Sequence, residues 1–522
     1  MKRITAVLLL LAMAAALLCS CAESGNDAYV ATGDAILMEG EDPAEDPLVD
    51  ESETLELAYY PDRSMNPLIG NNITNRVLFS LIYQGLFAVD SSNNTTPILC
   101  ARYSVSSGNR VWTIYLENSA TFSDGSRVTV DDVLATYEAA QNSSYYKGRF
   151  THISSIEATE DGGICFTLDT AYENLALLLD IPIVRAEDVE ADHPLGSGPY
   201  RFVEGINGAY LERVADWWSN VRVSTTAPSI SLLEATDQAQ VRDEFEFGDL
   251  DLAIANPMSD SFAEYRCDYE LWDCENGVML YLCCNVLYSE YFKNTDVLQK
   301  AMTYAIDREY INETYYRGLA QPSTLAVSPG SPYYASGLAS KYEYDALKFV
   351  DSISDFQVPK DEQLNNKKLK LLVNSSDSAR LRTARYIAEA LTEFGIPCGT
   401  LECSAENYEL VLRANNWDMY IGQTKLSATQ DLSEFFRPWG NLSWGGIQND
   451  TIYTMVKESL ANDGNYYNLC KMIADDGRLI PILFGNLTVY AGRGRLLDLS
   501  PSRDNVFYYT MGKTMEGTKI SQ

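Results

Sequence analysis

Histidine is almost missing from this 522-residue chain: only His152 and His193 are present, and they sit in unrelated surroundings. With no CxxC or HxxxH spacing, no zinc site is expected, and no cofactor is called for. A Ser/His/Asp set has no plausible histidine, and there is no Gly-x-Ser-x-Gly elbow or Walker loop, so enzymatic activity is not expected. Positive charge is also scarce, with 39 Lys and Arg against 73 Asp and Glu and a net charge of −34. That balance excludes nucleic acid as a partner, since phosphate binding needs clustered cations. Paired acids do occur in "DLDLA" at 249–253, but at alternating strand positions they form one wet face. The chain has no internal repeat at a fixed period.

Long apolar runs are lacking too, apart from one at the start. Lys2 and Arg3 precede an apolar stretch of about fifteen residues, 4–18, which is shorter than the roughly twenty needed to span a bilayer. It reads as a secretory signal. The sequence Leu18-Cys19-Ser20-Cys21 resembles a bacterial lipobox, which would make Cys21 the lipidated first residue of the mature protein after removal of 1–20. The alternative is an ordinary signal peptide with Cys21 a plain thiol. Between Glu23 and Glu53 there are eleven acids and no Lys or Arg, so 21–53 reads as an acidic solvated tether. The expected product is a soluble body leashed by acyl chains to the outer face of a membrane.

With 46% hydrophobic residues, the body can build two or three cores. Nine cysteines follow Cys21: Cys100, Cys165, Cys267, Cys274, Cys283, Cys284, Cys398, Cys403 and Cys470. An odd, uneven set is a poor disulfide framework, and several lie in apolar strand-like runs. Mostly reduced, buried thiols are the main expectation, with one or more bridges as the alternative.

Periodicity then places elements. "TLELAYY" at 54–60, with Leu55, Leu57 and Tyr59 on one face, and "VWTIYL" at 111–116 read as strands. Asp124-Gly125 marks a turn, and Thr129 with Asp132 forms a capping box that opens a helix with Val133, Leu134 and Tyr137 facing its core. A continuous helix is expected over 297–316, capped by Thr295 or Asp296 and stopped near Gly318. From 368 to 423 the order is strand, helix closed by Gly395, strand, helix, strand, which implies a parallel, right-handed open α/β sheet. Ligands of such sheets bind beyond the strands' carboxyl ends, here 374–376 and 422–425.

Several stretches, in order, resemble the extracytoplasmic solute-binding proteins of the peptide and nickel class that serve ABC importers. They are "MNPLIGNNITNRVLFSLIYQGLFAVD", the block "TPILCARYSVSSGNRVWTIYLENSATFSDGSRVTVDDVLATYEAA", "GSGPYRF" as a crossing strand, and "VLQKAMTYAIDREYINETYYRGLAQPS". The resemblance implies an α/β periplasmic-binding fold of type II, with two hinged lobes and an extra inserted domain. Carried onto this chain, it puts lobe I at 54–90, 174–260 and 465–522, the extra domain at 91–173, and lobe II at 261–464. It also implies a monomer that hands a solute, foremost a short peptide, to a permease and its ATPase subunits. An oligosaccharide or other polar metabolite, or a sensing role without transport, remains as an alternative.

The same resemblance defines the candidate site and its departures. Peptide binders of the class end the strand after the second crossover helix in Gly-Trp, closely followed by an Asp that pairs with the peptide's amino terminus. A gapless alignment gives Gln423 and Leu426 at those places, so the carboxylate clamp is missing. Asp431 matches a later acid of the family, and Lys425 favours an anionic group unless it simply points to solvent. Trp439 and Trp444, in a Gly-rich loop, offer indole faces for stacking or else pack between lobes. The candidate ligand residues are thus Asn66, Asn285, Ser375, Gly422, Gln423, Thr424, Lys425, Asp431, Trp439 and Trp444. Nickel reads poorly, because both histidines lie outside these loops.

Overall fold

A computed structural model describes residues 55–505, except 71, 220–226, 260–261, 494–495, 497–498 and 500. The expected signal segment, Cys21 and the 21–53 tether lie outside the described residues. Among the described residues, no helix is long and apolar enough to cross a membrane.

One eleven-stranded sheet runs through the molecule. Its spine is a pair of long antiparallel strands, Glu270–Cys284 and Leu479–Ala491, paired from Glu270↔Ala491 to Cys283↔Leu479 with register shifts between Glu275 and Met279 and between Leu280 and Tyr281. One half of the second strand is flanked by Leu252–Ala255, and beyond it come Leu55–Tyr59, Ser229–Glu234, Gly208–Arg213 and Tyr200–Gly205. At the other end, Val278–Cys284 pairs with Met419–Lys425, followed by Leu369–Asn374 and Cys398–Cys403. The spine ladder is irregular between Glu275 and Met279. There Gly277 adopts φ +73°, and a Cβ on Gly485 would sit 2.4 Å from Met258 Sδ. The boundaries read from sequence, 260/261 and 464/465, fall outside these strands, whereas the pairing passes from one half of the sheet to the other inside them.

The expected parallel α/β unit is present: Leu369–Asn374 pairs in parallel with Cys398–Cys403 and Met419–Lys425. Its helix Ser378–Glu393 is capped by the Asp377 carboxylate on Arg380 N, buries Ala384, Ile387 and Leu391, and ends before Gly395 at φ +87°. The helix expected over 297–316 is instead broken. Val297–Ala301 tightens into a 3-10 turn, Ile306 is extended, and Asp307 caps a new helix, Arg308–Tyr315. The cause is tertiary: the buried Arg308 guanidinium donates to the carbonyls of Thr303, Ile306, Ser323 and Pro481, which pins the break.

A separate four-stranded antiparallel sheet is built from 100–168, in the order Cys100–Val105, Val111–Leu116, Ile164–Leu168, Ile153–Ala158. Helix Val130–Asn142 covers it, opened by the capping box with both reciprocal bonds made. Val133 and Tyr137 are buried and Leu134 packs partly buried against the same core, with Tyr137 edge-on to Phe166 at 5.5 Å. "GSGPYRF" leads into an edge strand of the large sheet rather than a crossing one. Its Gly-x-Gly is needed because a Cβ on Gly196 would lie 2.0 Å from Ile82 O. All nine cysteines after Cys21 are free thiols, and burial pushes Cys283 up to about 12.

Candidate functional site

A cavity of about 1420 Å³ opens between the 145–153 segment of the smaller sheet's domain, the 424–448 loops, and residues 502–504 near the end of the described chain. It lies beyond the carboxyl end of Met419–Lys425, where an open α/β sheet offers its ligand site.

The inner end is ionic. Lys425 Nζ donates to Asp504 Oδ1 at 2.6 Å and to the Tyr145 hydroxyl at 2.7 Å. Arg149 bonds Asp504 Oδ2 at 2.8 Å through one nitrogen and Asp180 through another. Arg76 stacks on the Tyr145 ring at 3.6 Å. Burial alone would raise the Asp504 carboxyl, but Lys425, Arg149 and Arg76 hold it well below the usual carboxylate range. Burial likewise raises Asp180, against the pull of Arg149, and lowers Lys425, against Asp504. Beside this group Arg503 pairs with Glu275 and donates to Leu426 O at 2.7 Å, tying the spine irregularity to the cavity floor.

The outer end is aromatic. Trp439 is 93% exposed at φ +60°, so it does not pack between lobes. Trp444 is half-buried beneath the Arg413 guanidinium at 5.5 Å, and Leu287 and Tyr288 complete the rim.

Alongside the cavity, the two sides of the molecule are joined by hydrogen bonds. His152 Nε2 is 2.8 Å from Ser433 Oγ, the Tyr172 hydroxyl donates to Asp431 Oδ2 at 3.2 Å, and Asp463 N donates to Glu173 Oε2 at 3.0 Å.

Of the residues singled out in the sequence, Thr424, Lys425, Asp431, Trp439 and Trp444 border the cavity. Lys425 points into the ionic group rather than simply to solvent. Asp431 is already engaged by Ser433 N, Tyr172 and His152. The others do not line the cavity. Asn66 is fully buried and its amide bonds Val189 O, Ala191 O and Leu68 N. Asn285 bonds Trp417 O and Tyr288 N. Ser375 donates to Cys403 O, Gly422 is filled over by Tyr281, and Gln423 accepts from Arg380. The 374–376 loop thus braces neighbouring strands, and only the 422–425 end reaches the cavity. Arg76, Tyr145, Arg149, Asp180, Arg503 and Asp504 were not legible in advance. Arg149 and Asp504 are 355 residues apart, and no local pattern joins them. Among the described residues no cluster of three His, Cys, Asp or Glu could hold a metal ion.

Comparison with known proteins bears on the family and the fold. A profile described as "Bacterial extracellular solute-binding proteins, family 5 Middle" matches residues 94–446. The chain is 23% identical over 312 residues to the glutathione-binding protein GsiB of Salmonella typhimurium, a match covering 57% of this chain and 60% of that protein. The chain therefore spans about 60% of the length of the first curated relatives it matches. Against GsiB of Escherichia coli O157:H7 the figures are 22% over 410 residues, 74% and 72%. Among solved structures, the ABC transporter substrate binding protein CtaP of Listeria monocytogenes superposes with a TM-score of 0.69 at 19% identity, over 87% of this chain and 97% of that one. A putative peptide binding protein AppA of Clostridium difficile gives 0.68 at 18%, over 87% and 98%. These likenesses show a type II periplasmic-binding fold.

Proposed function

We propose that this chain, which belongs to the bacterial extracellular solute-binding proteins of family 5, captures short peptides in the 1420 Å³ cavity and delivers them to an ABC permease. The family is one of binding proteins, not enzymes. The size of the cavity carries the peptide reading: it exceeds the roughly 300–1,000 Å³ of ordinary small-molecule pockets, and it offers both ionic and aromatic walls. A ligand touching both sides favours the closed state, in which Lys425 meets Asp504 and His152 meets Ser433, and the permease reads that state. In this reading lobe I is 54–90, 174–260 and 465–522, the extra domain 91–173 and lobe II 261–464, with the hinge inside the two long strands. The protein works as a monomer held by a lipid on Cys21 at the outer face of the cell membrane. Blocking of membrane association by Cys21→Ala tests that anchor.

The Trp439 rim supports one other solute, an oligosaccharide laid against the exposed indole face. Native mass spectrometry of the signal-free protein from rich medium, followed by denaturation, decides between them. A ladder of mixed short peptides on a monomer supports the peptide reading. A single sugar mass, or no release and no uptake from a peptide library, overturns it.

A further inference from the structure

The charges bordering the cavity do not balance along its length. At the inner end three cations, Arg76, Arg149 and Lys425, meet two carboxylates, Asp180 and Asp504. Among the described residues Arg76 makes no ion pair; its guanidinium donates to Tyr146 Oη at 3.0 Å and Gly70 O at 3.3 Å. The neighbouring Arg503–Glu275 pair is neutral and leaves the surplus unchanged. A buried surplus charge is costly unless something neutralises it. The Lys425 ammonium has three donors, of which two are taken by Tyr145 and Asp504, and its side chain is still 31% exposed.

The acids tell the opposite story. Asp504 is held by Lys425, Arg149 and Tyr145, and Asp180 by Arg149. Asp431 accepts from Ser433 N and Tyr172; Glu434 pairs with Arg437 and accepts from Asn441 N; Glu409 pairs with Arg413. Among the described residues, a ligand amine entering this cavity finds every lining carboxylate already hydrogen-bonded, Asp431 by Ser433 N and Tyr172 with no Lys or Arg beside it, while a ligand carboxylate at the inner end finds surplus positive charge and a spare donor on Lys425.

Building on the peptide reading, we propose that the cleft recognises its ligand by a carboxylate docked on Lys425 in the field of Arg149 and Arg76, and requires no free amino group. The ligand class is peptides with a free carboxyl terminus or an acidic side chain, amine-blocked forms included.

The test uses the signal-free protein and one random tetrapeptide library in four forms: free, N-acetylated, C-amidated, and blocked at both ends, with retention read by native mass spectrometry. N-acetylation should leave retention unchanged, and C-amidation should lower it about tenfold or more, the worth of a charge-assisted bond. Amidated members that remain should be rich in Asp or Glu, which would identify the side chain as the carboxylate's source. Lys425→Met should erase the difference between amidated and free forms, and Lys425→Arg should restore it. The wild-type comparison stands even where a variant fails to fold. Loss on N-acetylation with none on C-amidation overturns the proposal and leaves the peptide reading intact. Retention of no form overturns both.

Discussion

His152 Nε2 lies 2.8 Å from Ser433 Oγ while the same ring's Nδ1 lies 2.9 Å from Asp169 Oδ1, so one buried imidazole bridges the smaller sheet's domain to the loop beyond Met419–Lys425. The ring is 3% exposed and Asp431 Oδ2 is 3.5 Å from it. In a chain with two histidines, one is therefore a cross-molecule tie.

Replacing that tie should loosen closure. His152→Ala leaves the buried Ser433 hydroxyl without its partner, a cost of about 1–3 kcal/mol. Chemical unfolding should show that loss, and affinity for the bound solute, peptides under the proposed function, should fall with it, while His152→Gln recovers part of both. Unchanged unfolding and affinity in His152→Ala would show that the contact contributes nothing to the closed state.

Asp504 should govern the acid limb of stability. Its folded carboxyl binds a proton more weakly than the unfolded one, so its contribution is full above the unfolded value of about 4 and is lost as pH falls below it. Asp180, raised by burial, works in the opposite sense and is relieved as pH falls. Asp504→Asn leaves buried cations uncompensated and should cost about 3–5 kcal/mol at pH 7. The gap between variant and wild type should narrow from pH 4 downward in a pH series of denaturant melts. A gap that stays constant to pH 2.5 contradicts the assignment.

Gly277 should be irreplaceable at the spine. Its φ of +73° disfavours any Cβ, and an added one would sit 2.7 Å from Arg503 Nη1 and 2.9 Å from Leu426 O. Gly277→Ala is expected to cost about 1–3 kcal/mol and to lower ligand affinity by shifting Arg503 off Leu426 O. Gly125→Ala, at φ +85° with nothing within 4 Å, supplies the control: strain without loss of affinity. Equal affinities for the two variants would separate Gly277 from the site.

Local physics was legible in the sequence. The Thr129–Asp132 capping box, the turn at Asp124-Gly125, the Asp377 and Gly395 ends of the long helix, and the parallel unit of 368–423 each depend on residues within a few positions of one another. Lys425 could be placed at the cleft because strand polarity says which ends face a ligand, and Asp431 because it matches a later acid of the family the chain resembles. Asn66 and Asn285 could not be judged that way, since their amides bond backbone groups 123 and 132 residues away.

The sequence by itself thus determined the α/β character, the membership legible in its ordered motifs, and the loop that borders the cavity. Tertiary structure alone decided that Arg308 breaks a helix, that Gly277 and Gly485 interrupt the spine, and that Arg149, Asp180 and Asp504 gather around Lys425. Those outcomes rest on groups brought together by tertiary contact, such as Arg308 with Pro481 O 173 residues away and Arg149 with Asp504 355 residues away. Their energies exist only after burial removes water, so no local pattern of residue types carries them.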